Sequence, residues 1–209
     1  MPSNRREAIL AASTLLFAEK GFGSTTTSEI AREASVAEGT LYHHFASKND
    51  IFLTLFDETI NEYLAGANDA AVSGSGRDRL AAFIRFHFDY LAKHQPRLLI
   101  LQRDIPPDLV APGGVGRPAF VLDKLARTTE LLAMILDVGK RDGTLRFGFA
   151  TRDGAELLRG ILSGCTRQKV LGGITMPTAK LAGLVESFCM EALATPRPGE
   201  EIEETGGFR

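Results

Sequence analysis

The sequence predicts an all-α fold of about nine helices, and three observations lead to this prediction. Apolar residues recur at helical spacing in one segment after another, as in residues 5–20, where Ile9, Ala12 and Leu16 share a face. Capping residues, glycines and prolines separate these segments. No segment of any length alternates apolar and polar residues in the way that is typical of a strand.

Three helices are expected near the start of the chain. The first covers residues 5–20 and ends at Gly21, a common residue just past a helix terminus. The spacing of Thr26 and Glu29 is that of a capping box, which predicts the start of the second helix. A break follows, and residues 37–45 are expected to form the third helix.

A long fourth helix is predicted next, because Ser47 and Asp50 have the spacing of another capping box. Glycines and serines at residues 73–76 predict a linker, prolines and glycines at 105–118 predict a loop, and the polar residues 195–209 predict a mobile tail. The remaining helices are expected at residues 77–94, from Pro96 through Leu101, and at 119–140, 153–171 and 177–194.

The composition is ordinary for a folded protein in water. Of the 209 residues 44% are hydrophobic and 24% are charged, and the net charge of -2 argues neither for nor against nucleic acid. No leader pattern and no membrane span are evident, so we expect a cytoplasmic protein without a membrane partner. Cys165 and Cys189 lie far apart without a CxxC pattern, which favours reduced thiols over a cross-subunit disulfide.

A short helix, a turn and a second short helix, packed on a first helix, form the geometry that places a recognition helix in the major groove of DNA. Leu41 and Phe45 are four residues apart and are assigned to the core, which leaves small and hydrogen-bonding side chains for other faces. Thr40 and His43 are expected to meet base edges, and Tyr42 and His44 to meet phosphate oxygens. Thr26, Thr27 and Lys48 lie at helix N-termini that favour an anion, and Gly39 lets the backbone approach closely. The predicted DNA-contacting residues are Thr26, Thr27, Ala37, Gly39, Thr40, Tyr42, His43, His44 and Lys48.

The first quarter of the chain resembles the TetR family of transcriptional regulators. The resemblance is carried by AA at residues 11–12, LLFAEKGF at 15–22, TT at 25–26, EIA at 29–31, Ala34, Val36, GTLYHHF at 39–45 and Lys48. It implies a DNA-binding domain, a larger helical domain that binds an effector, and a dimer formed mainly by the last two helices. The domains are then expected at residues 1–47 (DNA binding), 48–194 (ligand binding and dimerisation) and 195–209 (mobile tail).

Three residues depart from the pattern of that family. Ser35 stands where glycine is usual, and it would be strained if the turn requires a positive φ. Ala37 stands where a serine cap is common, which weakens the cap by about 1 kcal/mol, and Glu38 stands where a basic residue is common. The five basic residues from Arg5 to Lys48 are matched by five glutamates, so affinity for DNA has to rest on positioned contacts and two half-sites.

A ligand cavity is predicted in the larger domain. The aromatic residues of the fifth helix occupy more than one face, whereas a core helix needs only one apolar stripe. The predicted ligand-binding residues are Phe83, Phe86, His87 and Tyr90, with core packing as the alternative. Arg97, Gln102 and Arg103 are candidates for an anionic group of the ligand, with solvation at the surface as the alternative.

The last two helices carry long apolar faces, and Gly160, Ser163 and Gly164 within one of them would let another helix approach closely. A subunit interface explains both features, and completion of the internal core is the alternative. The predicted interface residues are Leu158, Ile161, Leu162, Cys165, Leu181, Leu184, Val185 and Phe188.

The predicted function is a homodimeric, sequence-specific DNA-binding regulator that responds to a small apolar or amphipathic effector and recognises a near-palindromic operator. Most members of the family that it resembles are repressors, so a repressor is expected rather than an activator. The alternatives are a constitutive DNA-binding protein without an effector, and an enzyme. We expect no enzyme because no Ser/His/Asp, Cys/His or paired-carboxylate arrangement is recognisable. No cofactor or metal is expected, since adjacent His43 and His44 point about 100° apart on a helix.

Overall fold

The computed structural model describes residues 5–103 and 118–193, and in these ranges the chain forms helices joined by short turns, without strands. The all-α prediction is therefore confirmed for the described part. The tail predicted at residues 195–209 and the loop predicted at 105–118 lie outside it, except for Pro118, which begins a helix. The helices are α1 (Arg5–Lys20), α2 (Thr27–Glu33), α3 (Glu38–His44), α4 (Lys48–Ala70), α5 (Gly76–Lys93), α6 (Gln95–Arg103), α7 (Pro118–Asp142), α8 (Thr151–Val170) and α9 (Thr178–Ala192).

Local capping explains where the early helices begin. The Thr26 hydroxyl accepts a hydrogen bond from the Glu29 backbone N–H, and the Glu29 carboxylate accepts one from the Thr26 N–H, which confirms the predicted capping box. At α4 the prediction is only half right. Ser47 caps the Asp50 N–H, but the Asp50 carboxylate accepts from the N–H of Ala46 rather than from that of Ser47.

The turn between α2 and α3 contains a residue in the left-handed region. Ser35 has a φ of 55°. The N–H of the next residue, Val36, donates a hydrogen bond to the Ala31 carbonyl, and this bond closes the turn. This conformation costs a residue with a Cβ roughly 1–2 kcal/mol. The strain anticipated for a serine at this position is therefore present. The uncapped start of α3 is also confirmed, since Ala37 makes no side-chain cap.

Two hydrophobic cores divide the described chain. The first joins α1, α2, α3 and the first half of α4, and it also includes Ile100 and Leu101 of α6. The second joins the later part of α4, from Tyr63 onward, with α5, α7, α8 and α9. The change from one core to the other thus falls within α4, and Ile60 packs against both.

Within the described residues, no helix combines the length and the apolar character that a membrane crossing requires.

Candidate functional site

The outer face of α3 is exposed because its inner face is used by the first core. Leu41 and Phe45 are buried, as their spacing predicts, and they hold α3 against α1 and α2. The residues around them remain open to a partner. Glu38, Gly39, Tyr42, His43 and His44 are exposed, and Thr40 is half-buried. The geometry brings most of the predicted DNA contacts onto one surface.

Tyr42 and Thr27 join α3 to the N-terminus of α2. Their hydroxyl oxygens lie 2.9 Å apart, and the Tyr42 side chain is still 51% exposed. A helix N-terminus carries free backbone N–H groups that attract phosphate. Because one hydroxyl donates to the other, this pair has one O–H left to donate to a phosphate oxygen beside the terminus.

Lys48 has an internal role that the sequence did not indicate. Its ammonium donates to the backbone carbonyls of Phe22 and Thr25, at 2.7 Å in each case, and lies 4.4 Å from the centre of the Phe22 ring. Burial lowers the pKa of Lys48. Two of the three N–H donors therefore hold the turn between α1 and α2, and one donor is left for a phosphate.

Ion pairs neutralise part of the positive charge in the first three helices. Lys20 lies 2.7 Å from Glu29, and this hydrogen bond, followed by those from Thr26, lowers the pKa of Glu29 to about 2. Arg6 pairs with Glu58 of α4 at 2.9 Å. These pairs agree with the expectation that the surface near α3 is not uniformly basic.

The two exposed histidines of α3 lie side by side, with ring centres 5.4 Å apart. In the part of the chain that is described, no group of three metal-ligating side chains surrounds them or any other position. No described atom lies within 4 Å of the place where a side chain on Gly39 would begin. The space above Gly39 is therefore open to an approaching DNA backbone.

A cavity lies between α4, α5, α6, α7 and α8, with about 670 Å³ of empty space, part of it open to solvent. Its described lining residues are Thr59, Ile60, Tyr63, His87, Tyr90, Leu98, Gln102, Leu125, Thr128, Arg159, Leu162, Ser163 and Thr166.

Two of the four predicted ligand-binding residues, His87 and Tyr90, line this cavity, and the other two are not among its described lining residues. Phe83 is fully buried in the second core, with its ring edge-on to Tyr63. The Phe86 ring packs against the backbone of Gly66 on α4, in the space that a side chain would need there. Both aromatic rings thus pack α5 against α4.

A chain of hydrogen bonds crosses one wall of the cavity. The Tyr63 hydroxyl lies 2.9 Å from His87 Nδ1, and His87 Nε2 lies 2.9 Å from the Thr166 hydroxyl. Burial lowers the pKa of His87 to about 4, so its imidazole is neutral at pH 7, and burial raises the pKa of Tyr63. The Tyr90 hydroxyl donates to the Thr59 carbonyl at 3.1 Å, and burial likewise raises its pKa. This wall is polar but uncharged.

The three predicted anion contacts separate in the structure. Gln102 lines the cavity, Arg97 pairs with Glu62 at 3.0 Å, and Arg103 binds backbone carbonyls of α1. Sequence reasoning missed Arg159 of α8, which lines the cavity with Ser163 one turn later. The available signal was the spacing of Arg159, Leu162, Ser163 and Thr166, which places them on one helix face.

The predicted interface residues divide between the core of the subunit and its surface. Leu158, Leu162, Leu181 and Val185 are buried in the core of the subunit itself, because α8 packs on α7 and α9 packs on α5. Ile161 and Cys165 are half-buried, and the two thiols of the chain, Cys165 and Cys189, are free.

Other apolar side chains of α8 and α9 point outward. Leu184 is 51% exposed, Phe188 is 63% exposed, and Leu157, which sequence reasoning missed, is 65% exposed. Apart from its own helix backbone and chain neighbours, no described atom lies within 4 Å of a Cβ added at Gly160 or Gly164. Packing against the other described elements therefore does not account for these glycines. We call Leu157, Gly160, Gly164, Leu184 and Phe188 the outer α8/α9 face.

The comparisons with known proteins agree with this geometry. Residues 9–55 match the model of the family described as bacterial regulatory proteins, tetR family. The chain is 31% identical to the fatty acid metabolism regulator protein of Bacillus subtilis, over 46% of this chain and half of that protein. It is 26% identical to the HTH-type transcriptional repressor KstR2 of Rhodococcus jostii over 93% of both chains.

Solved structures resemble nearly the whole chain. The fatty acid degradation regulator FadR from Bacillus halodurans has a TM-score of 0.79 and 22% identity, covering 91% of this chain and 96% of that one. FadR from Bacillus subtilis in complex with stearoyl-CoA has a TM-score of 0.76 and 22% identity, covering 90% and 98%. The described helices thus have the fold of these solved regulators, and residues 9–55 carry the helix-turn-helix pattern of the tetR family of bacterial regulatory proteins.

Proposed function

We propose that this protein is a homodimeric repressor that binds a near-palindromic operator and leaves it when an amphipathic molecule occupies the cavity. Residues 1–47 and the start of α4 contact DNA, and residues 48–194 bind the ligand and the second subunit. As a regulator of transcription, it acts in the cytoplasm.

The observation that carries this proposal is the position of α6 between the cavity and the first core. Leu98 and Gln102 line the cavity, while Ile100 and Leu101 are buried in the core that supports the DNA-reading helices. A nine-residue helix is stiff, so a ligand that displaces one side of α6 displaces the other. The cavity and the DNA-binding domain therefore share one element.

The long helix α4 supplies a second connection. It begins at Lys48 directly after α3, and it reaches Tyr63 on the cavity wall. Its first half packs in the first core and its second half in the second core. A tilt of α4 would change the separation of the two recognition helices in a dimer, so both half-sites would no longer be engaged together.

The outer α8/α9 face supports the proposed dimer. Exposed large apolar side chains are unfavourable in water unless a partner covers them, and glycines without neighbours in other described elements allow a helix to approach. A twofold dimer places its recognition helices about 34 Å apart, on successive major grooves of one side of DNA.

The chemistry of the cavity and the relatives support the class of ligand. Four aliphatic side chains and a wall of neutral hydrogen-bonding groups suit a molecule with a long or polycyclic apolar body. The names of the relatives point to fatty acid and ketosteroid regulation, and one neighbour was solved with stearoyl-CoA. We extend this class, acyl or steroid molecules, to the present chain.

The proposal is tested by isolating bound genomic fragments and measuring operator affinity by fluorescence anisotropy. Acyl-CoA thioesters and steroid acids are then added at concentrations that saturate the protein by calorimetry. We expect operator affinity to fall with at least one ligand that occupies the cavity. Operator affinity that stays unchanged with every such ligand would favour a constitutive regulator and contradict the proposal.

A further inference from the structure

Arg159 is the single charged side chain among the described residues that line the cavity. It lies on α8 and is half-buried. The other polar groups of the described lining are neutral hydroxyls, one amide and an imidazole that burial keeps uncharged at pH 7. The cavity thus has one positively charged wall and a larger neutral surface.

The guanidinium of Arg159 is held in place by a buried threonine. Its Nε–H donates to the hydroxyl of Thr129 on α7 at 2.9 Å, and Thr129 is only 4% exposed. This hydrogen bond uses the Nε–H and leaves the four N–H groups on the two terminal nitrogens. Those terminal groups form the planar fork that pairs with a carboxylate or phosphate through two parallel hydrogen bonds.

Arg159 lacks a counter-charge in the described part of the chain, where no carboxylate lies within 4.0 Å of it, although other arginines such as Arg6, Arg85 and Arg97 have one. A half-buried cation beside an apolar cavity loses hydration, and an anion in the cavity would compensate for that loss. Ser163 and Thr128 line the same cavity, and each carries a hydroxyl that can donate a hydrogen bond.

The other polar side chains of the lining offer fewer free donors. Tyr63, His87 and Thr166 are bonded to one another, so their two hydrogen bonds leave one donor of three unused, and the Tyr90 O–H is used by the Thr59 carbonyl. A ligand in the cavity therefore finds most of the spare donors on Arg159.

We propose that the effector is an amphipathic anion whose carboxylate or phosphate pairs with Arg159. Its apolar body lies against Ile60, Leu98, Leu125 and Leu162. This inference rests on the proposed function, because it names the chemistry of the ligand in the same cavity. On this proposal, Arg159 is the residue that discriminates between charged and neutral ligands of equal length.

Three probes with the same alkyl chain test the inference by calorimetry on the full-length protein. Dodecanoate carries a carboxylate, dodecanoyl-CoA carries phosphates, and dodecanol carries no charge. The variants are Arg159→Met and, as a matched control, Arg152→Met, which replaces an exposed arginine on the same helix that pairs with Glu156. Thermal unfolding of each variant checks that it is folded.

In Arg159→Met we expect the affinity for one charged probe to fall by about tenfold or more, because a charge-assisted bidentate pair is lost. The charged probe that loses affinity identifies the group, carboxylate or phosphate, that Arg159 binds. Dodecanol binding should change by less than about twofold, since its contacts are apolar. Arg152→Met should bind all three probes as the wild type does.

Thr129→Val tests the positioning of the fork. It keeps the size and the burial of the side chain but removes the acceptor of the Arg159 Nε–H. We expect severalfold weaker binding of the charged probe and unchanged binding of dodecanol. Arg159→Lys keeps the charge but not the fork, so it should bind the charged probe with an affinity between those of wild type and Arg159→Met.

Equal affinity of the wild type for all three probes, an equal loss of all three in Arg159→Met, or no binding of any probe would overturn the inference. Operator release with the same probes separates it from the proposed function. If dodecanol releases the operator and Arg159→Met binds the charged probes as tightly as the wild type does, the inference is wrong and the repressor function stands. If the charged probes bind through Arg159 but never displace the operator, the ligand chemistry stands and the proposed function is wrong.

Discussion

Arg103, the last residue of α6, donates a hydrogen bond to the backbone carbonyl of Phe17 in the last turn of α1, at 2.7 Å. The same guanidinium nitrogen lies 3.2 Å from the carbonyl of Ala18. The preceding residue, Gln102, lines the cavity, and its carbonyl accepts a hydrogen bond from Arg167 of α8 at 3.4 Å. Two adjacent residues of α6 thus connect the cavity, α8 and the C-terminus of the first DNA-domain helix.

Replacing Arg103 by alanine should uncouple the ligand from DNA. The carbonyls at the end of α1 lose a charged donor, and the last turn of α6 loses its attachment to the DNA-binding domain. We expect ligand affinity to stay near that of the wild type, while the ratio of operator affinities without and with ligand shrinks severalfold. Fluorescence anisotropy with a labelled operator measures that ratio.

Arg97→Ala is the matched control for this experiment, because Arg97 lies on the same helix but pairs with Glu62 of α4 instead of α1. It should keep the wild-type ratio. A full ligand response in Arg103→Ala would show that the contact between α6 and α1 does not transmit the ligand signal.

Lys48→Met should reduce both the stability of the protein and the salt dependence of DNA binding. Two charged hydrogen bonds to the Phe22 and Thr25 carbonyls are lost, which costs about 1.5–3 kcal/mol in the free energy of unfolding. Loss of one phosphate contact should reduce the slope of log affinity against log salt by about one unit. Urea unfolding and anisotropy at several salt concentrations measure the two effects. Lower stability with an unchanged slope would mean that Lys48 only holds the turn.

Stability should fall as the pH is lowered from 6.5 to 4, because of His87. Burial lowers the pKa of His87 from 6.5 to about 4, so the unfolded chain takes up a proton in this range while the folded protein does not. The free energy of unfolding should then decrease by about 3 kcal/mol over the interval, and this contribution should be constant below it.

The comparison of wild type with His87→Gln in urea at a series of pH values isolates this contribution. The variant should lack the His87 part of the decrease. His43→Gln, which replaces an exposed histidine, should follow the wild type. Parallel curves for wild type and His87→Gln would contradict the burial of a neutral imidazole.

A charge on the outer α8/α9 face should split the dimer. Phe188→Asp places a carboxylate on a 63% exposed apolar position, so it disturbs a partner but not the core of the subunit. We expect the sedimentation coefficient at micromolar concentration to change to that of a monomer, with operator affinity lowered at least about tenfold by loss of the second half-site. Val72→Asp, at an equally exposed position after α4, should remain dimeric. A monomeric wild type with intact operator binding would refute the proposed dimer.

Local signals in the sequence predicted the first three helices well. The capping box of Thr26 and Glu29 and the spacing of Leu41 and Phe45 involve residues within one or two turns, so the sequence contains the whole interaction. The strain at Ser35 was anticipated because a turn of this kind needs a positive φ.

The cavity and the outer α8/α9 face were less predictable, because they depend on how distant helices pack. Leu157 and Leu158 are adjacent and equally apolar, and only the position of α7 decides that Leu158 is buried and Leu157 exposed. Likewise, Arg159 is one arginine among many in the sequence. Its role in the cavity follows from Thr129, which is 30 residues away and fixes its guanidinium.

Ligand and operator should each weaken the binding of the other to the protein, and calorimetry measures this coupling. Thermodynamic linkage requires the operator to weaken ligand binding by the same factor by which the ligand weakens operator binding. The affinity of the charged probe is therefore measured with and without saturating operator DNA. We expect a reduction of about 5- to 150-fold, equal to the factor found by anisotropy. Identical ligand affinities with and without operator would contradict the account, since the ligand would then occupy the cavity without influencing DNA binding.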